Sequence, residues 1–124
     1  MHSIDSSNLI FYVYVYHDEN GIPFYVGKGH ENRCRDHIYA ATNLKNKDWK
    51  SNKIRKIQRT TGKDPEIRFY IMEINEWEAF DHEKDLIALI GRKDLGLGPL
   101  LNMTNGVMEQ VETINLRLLS IVRK

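Results

Sequence analysis

One segment restricts the possible folds of this chain more than any other. Residues 9–16, Leu-Ile-Phe-Tyr-Val-Tyr-Val-Tyr, are β-branched or aromatic almost without interruption, which suits a pleated strand rather than a helix. Asn20-Gly21 follows, a strong signal for a two-residue hairpin turn. A second strand then runs over 23–27, with Pro23 at its start, where a missing N–H is tolerated. With Asn20-Gly21 as the turn, Tyr16 faces Tyr25 and Tyr14 faces Gly27. Side chains alternate along a strand, so Tyr14, Tyr16 and Tyr25 share one face, and Gly27 leaves a gap beside Tyr14. The phenols either pack as a core or line a site.

The remaining pattern is mixed. Cys34, Ile38 and Ala41 form an apolar stripe along a helix over 31–44. Asp48 or Ser51 caps a second helix that runs through Thr60, carries Trp49, Ile54 and Ile57, and ends at Gly62 and Pro65. A third strand follows over 67–74, then a helix over 76–90 that stops near Gly91. A glycine-rich connection covers 91–106 and a closing helix 111–122. A chain of 124 residues, 41% hydrophobic and 28% charged, suits one folded domain spanning 1–124. No apolar run approaches the ~20 residues of a membrane span. The polar residues 1–8 do not resemble a secretory signal. A single cysteine, Cys34, excludes an internal disulfide and a cysteine-based zinc site and fits a reducing cytoplasm.

Net charge is +1, but it is unevenly spread. Residues 28–68 hold twelve Lys or Arg against five acids, whereas both flanking segments are acidic. The density peaks over 45–63, where Lys50, Lys53, Arg55 and Lys56 lie among eight basic residues against Asp48 alone. Such a stretch is either a solvated helix face or a surface for a phosphate polymer, with affinity but little sequence information.

Two further features point to chemistry. Gly27-Lys28-Gly29 reads as a turn into a helix, where backbone can approach an anion, and Arg33 and His37 follow at a spacing that stacks them on one helix face. Glu83 is more informative. The apolar stripe of the 76–90 helix runs through Ala79, Leu86 and Ile90, and its period calls for an apolar residue at 83. A carboxylate turned inward is costly unless it is paired or binds a metal.

Taken in order, these residues resemble the GIY-YIG nuclease superfamily. Tyr12-Val13-Tyr14 and Tyr25-Val26-Gly27 are similar to its paired motifs, with Tyr12 where glycine is usual. Phe24 through Gly29, Asn32-Arg33, His37, Glu83 with Leu86-Ile87, Gly91-Arg92 and Leu100 through Gly106 resemble the branch of the LEM-domain nucleases and their phage and bacterial relatives. From Asn105 onward the chain departs from that branch, which continues there with a glycine-rich acidic stretch.

The resemblance implies an α+β fold, a small three-stranded antiparallel sheet flanked by helices. It also implies an endonuclease that cuts phosphodiester bonds in DNA with Mg²⁺, or Mn²⁺ in its place. Tyr14 and Tyr25 would be the motif tyrosines, Arg33 the phosphate-contacting arginine, Glu83 the metal ligand and Asn102 a supporting hydrogen-bonding residue. Either Tyr14 or His37 would take the proton of the attacking water. Lys28, Lys50, Lys53, Arg55 and Lys56 would bind substrate. A transient homodimer would allow both strands to be cut. The alternative is a catalytically silent nucleic-acid-binding domain of the same fold.

Overall fold

The β-branched, aromatic run becomes the central strand of a three-stranded antiparallel sheet. The structure, a computed structural model, describes residues 10–106. In it β1 (Phe11–His17) lies between β2 (Pro23–His30) and β3 (Glu66–Ile74). The three strands and their flanking helices make the α+β architecture expected from the sequence. The helix expected over 111–122 lies outside the described residues. Among the described residues no helix is long and apolar enough to cross a membrane.

Every residue of β1 is buried, because helices cover both faces of the sheet. On one face Tyr12, Tyr14 and Tyr16 pack with Phe24, Cys34 and Ile38, and with Ile54 and Ile57 of α2 (Trp49–Thr61). On the other, Phe11, Val13 and Val15 pack with Val26, Leu100, and Ala79 and Ile87 of α3 (Glu76–Ile90). Caps set the starts of both long helices. The Asp48 carboxylate accepts the Ser51 N–H at 2.8 Å, and the Asn75 side chain accepts the Glu78 N–H at 2.8 Å. Gly62, at φ +73°, closes α2 in the left-handed conformation.

The expected pairing holds: Tyr16 faces Tyr25 and Tyr14 faces Gly27. The turn itself differs. Residues 18–22 form a loop closed by Asp18 and Ile22, not a two-residue turn, and a bulge that sets Tyr16 opposite Tyr25 but His17 opposite Pro23 absorbs the offset. Gly27-Lys28-Gly29 is not a turn either. β2 continues through it to His30, paired with β1 throughout. Glycine is required at 27 because any Cβ there would come within 2.5 Å of the Tyr14 ring carbon Cζ.

The helix expected over 31–44 is broken. A 3₁₀ turn (Glu31–Arg35) leads into the short helix α1 (Asp36–Ala40). Glu31 sits at φ +51°, so the chain leaves β2 abruptly, and the Tyr12 hydroxyl donates to the Glu31 carbonyl at 2.6 Å and accepts the Cys34 N–H at 3.0 Å. Beyond Ala40, Arg55 takes the carbonyls of Ala41 and Asn46 at 2.8 and 2.5 Å and holds a loop where the helix would have continued.

The glycine-rich connection folds back along the β2 edge. It contains a 3₁₀ turn (Lys93–Leu95), and its Leu101 N–H donates to the Phe24 carbonyl at 2.7 Å. Asn102 completes the seam: its side chain accepts the Val26 N–H at 3.0 Å and donates to the Val26 carbonyl at 2.8 Å. The amide thus serves the strand edge as one more peptide unit would. Asn102→Ala leaves both Val26 groups without these partners, and urea unfolding should show a loss of about 1–3 kcal/mol.

Candidate active site

The sheet and its helices bring all six of the candidate catalytic residues to one cleft of about 200 Å³ at the β2 edge. Tyr14, Tyr25, Arg33, His37, Glu83 and Asn102 all line it. Each arrives from a different constraint. Tyr14 lies across Gly27, and Tyr25 stands two residues up the same strand. The 3₁₀ turn carries Arg33 and α1 carries His37, whose ring meets that of Tyr25 edge-on at 4.8 Å between centroids. Glu83 is buried in α3, because packing of Ala79 and Ile87 onto the sheet turns that face inward. Gly106 passes close to it, since a Cβ there would stand 3.2 Å from the carboxylate.

The three tyrosines of β1 differ in what their hydroxyls do. Tyr12 and Tyr16 bind the backbone of the 3₁₀ turn, Tyr16 donating to the Cys34 carbonyl at 2.6 Å. Tyr14 instead reaches over Gly27 into the cleft. Burial raises the pKa of Tyr14 far above that of a free phenol, and neighbouring Tyr25 adds to the effect. Burial raises Tyr25 as well, with the Glu83 charge as the next cause. Both phenols are therefore hydrogen-bond donors at neutral pH. His37 moves the other way, down to about 4, first because it is desolvated and second because Lys50 is nearby. It is consequently a neutral imidazole at pH 7 and can accept a proton.

The predicted substrate-binding residues do not stay together. Lys28 lines the cleft, but its ammonium is buried against Glu76 at 3.2 Å. Lys50 lines the neighbouring pocket, its ammonium 5.0 Å from the centre of the Tyr25 ring. Lys53 and Lys56 line a separate pocket, and Lys53 pairs with Asp18 at 3.4 Å. The Arg55 guanidinium is turned onto its own loop carbonyls.

The sequence reading missed two cleft residues, Asp36 and Thr104. The Asp36 carboxylate accepts from Arg33 Nε at 2.9 Å. The three-residue spacing from Arg33 within a helical stretch was the available signal. Trp49, on the same helix as the buried Ile54 and Ile57, is 48% exposed.

The family model of the LEM-3-like GIY-YIG domain matches residues 21–115, about three quarters of the chain. The chain belongs to the GIY-YIG family. The match begins inside the hairpin loop, so β1 and Tyr14 fall outside it and enter the site through the sheet register. No curated protein and no solved structure gives a significant match.

GIY-YIG nucleases generally use a divalent cation, and the cleft's donors decide which kind they can hold. Among the described residues no cluster of three His, Cys, Asp or Glu side chains exists, which excludes a tightly ligated zinc-type centre from them. One buried carboxylate in an open cleft does fit Mg²⁺, which keeps several waters and needs only one or two carboxylates.

The His37 shift has a thermodynamic consequence. Its folded pKa of about 4 lies below the 6.5 of a free imidazole, so the unfolded chain takes up the proton first as pH falls. Stability present above about 6.5 is lost progressively toward 4. NMR titration of the His37 ring should show the low midpoint, and the melting temperature should fall across that window less steeply in His37→Gln.

Proposed function

We propose that this GIY-YIG domain is a metal-dependent endonuclease that hydrolyses phosphodiester bonds in DNA. The observation that carries the reading is the convergence of one buried carboxylate, Glu83, with two phenols, a guanidinium and a neutral imidazole in a single cleft. Phosphodiester hydrolysis needs a deprotonated water, neutralisation of the phosphorane-like transition state and help for the leaving oxygen.

Glu83 would hold the cation, Mg²⁺ or Mn²⁺. When bound, such an ion neutralises phosphate charge and stabilises the leaving oxygen. Arg33 holds a non-bridging phosphate oxygen, its planar fork oriented by Asp36. His37, neutral at physiological pH, takes the proton of the attacking water. Of the two candidate bases this is the one supported by the protein's own electrostatics, because burial keeps Tyr14 protonated. Tyr14 and Tyr25 donate hydrogen bonds to the water and the phosphate. Lys50 draws the backbone toward the cleft from the neighbouring pocket. One cleft cuts one strand, so a double-strand break requires a second copy of the chain, as in a transient homodimer, or a second encounter. The lone buried Cys34 suits a reducing, cytoplasmic setting.

Supercoiled plasmid with Mg²⁺ provides the test. The wild type should nick it and EDTA should abolish nicking. Glu83→Ala should lower the rate at least about 10²-fold, and Arg33→Ala about 10²–10³-fold. Both should melt within a few degrees of wild type. Retarded migration without nicking by the wild type would establish a silent binder instead. An equal rate on an RNA of the same sequence would remove the assignment to DNA.

The pH profile provides a second test. His37 can act as base only when unprotonated, so kcat/KM should fall as pH drops through about 4. In His37→Ala that acid limb should disappear along with most of the activity.

A further inference from the structure

The cleft does not end at His37. It shares Tyr25, Asn102 and Thr104 with a neighbouring cleft of about 160 Å³, which in turn shares Trp49 and Leu101 with a pocket of about 470 Å³. The three therefore lie in series, each bordering the next through the residues they share. The last pocket falls in the size range of small-molecule sites. Its floor is apolar, with buried Phe24 and half-buried Leu101. Trp49 forms a wall, 48% exposed, and the Lys93 ammonium stands 6.0 Å from its ring centre. Lys53 and Lys56 line the same pocket. The pocket contains one acid, Asp18, and its carboxylate is engaged by Lys53 and by the N–H groups of Asn20 and Ile22. Neither Lys56 nor Lys93 makes an ion pair among the described residues.

We propose that this series of pockets seats the strand on one side of the scissile phosphate, with one nucleobase unstacked onto Trp49 and the adjoining phosphates beside Lys56 and Lys93. The inference rests on the nuclease reading and adds to it a base-binding subsite and a preferred substrate class: DNA with a nucleotide that is unpaired or easily extruded. The chemistry selects that occupant. A nucleotide combines a flat, apolar, polarizable face with an anionic backbone, which matches an exposed indole set in an apolar pocket flanked by ammonium groups. Inside a duplex both faces of a base are covered by its neighbours, so Trp49 can engage one only after it leaves the stack.

The test keeps binding apart from cutting. Trp49 and Trp77 are the only tryptophans, so in a Trp77→Phe background the emission reports Trp49 alone. With EDTA present, a short oligothymidylate should quench that emission saturably, and an abasic oligonucleotide of equal length should not. Anisotropy of the labelled oligothymidylate should show about tenfold weaker binding by Trp49→Leu, with most of the affinity restored in Trp49→Phe. Lys56→Ala and Lys93→Ala should each reduce the dependence of log K on log salt by about one. Equal quenching by the abasic oligonucleotide, or unchanged binding by Trp49→Leu, would overturn the proposal. Plasmid nicking by the wild type separates the two ideas. Nicking without quenching removes the subsite and leaves the nuclease, whereas quenching without nicking does the reverse.

Discussion

The central strand is buried on both faces, and the rest of the molecule is arranged around that fact. Seven residues of β1 are inaccessible, and on one face three of them are tyrosines whose hydroxyls must be satisfied. Tyr12 and Tyr16 meet this need by gripping the backbone of the 3₁₀ turn. The same three bonds therefore fix the segment that delivers Arg33 and His37. The third tyrosine, Tyr14, passes over a glycine to the cleft. On the opposite face, the valines of β1 receive Ala79 and Ile87, which sets the rotation of α3 and with it the direction of Glu83. Both halves of the cleft are thus positioned by one strand.

Much of this was legible in the sequence, for identifiable reasons. Strand alternation and a single turn signal were enough to put Tyr14, Tyr16 and Tyr25 on one face. The pairing survived a longer loop because the bulge before His17 restored the register. Glu83 was legible because a helical period with one polar interruption leaves few places for a carboxylate to go. What was not legible depended on distant partners. The glycines at 27 and 29 read as a turn, yet they are strand residues facing tyrosine rings across the sheet. The helix over 31–44 breaks where Arg55, from a different helix, takes the carbonyls that would have continued it. Trp49 illustrates a local signal that was available. Trp49, Lys53 and Lys56 fall at i, i+4 and i+7, on a different face from the buried Ile54 and Ile57, so helical phase alone separates Trp49 from the core.

The basic middle third is a weaker guide than its composition suggests. Several of its cations act inside the protein: Lys28 with Glu76, Arg35 with Asp64 and Arg55 with loop carbonyls. Folding therefore divides the sequence excess of positive charge into internal ties and a smaller external set. Lys50 stands by the cleft and Lys56 in the adjoining pocket, where Lys93, a residue from outside the basic segment, joins it. Placement beside pockets, rather than net charge, is what distinguishes this surface from an ordinary solvated helix.

Burial also determines the protonation states within the cleft. Desolvation disfavours whichever form carries charge, so it holds the phenols protonated and the imidazole neutral. The two effects have opposite signs on the pKa scale but a common result: at neutral pH the cleft offers donors at Tyr14 and Tyr25 and an acceptor at His37. A catalytic phenolate at Tyr14 would have to overcome both its burial and the field of Tyr25, whereas His37 needs no displacement from its resting state to accept a proton. Its low pKa makes it a weak base, so proton abstraction in the proposed reaction depends on help from elsewhere in the cleft. In the proposed reaction a cation held by Glu83 would supply that help, by neutralising charge on the phosphate and stabilising the leaving oxygen.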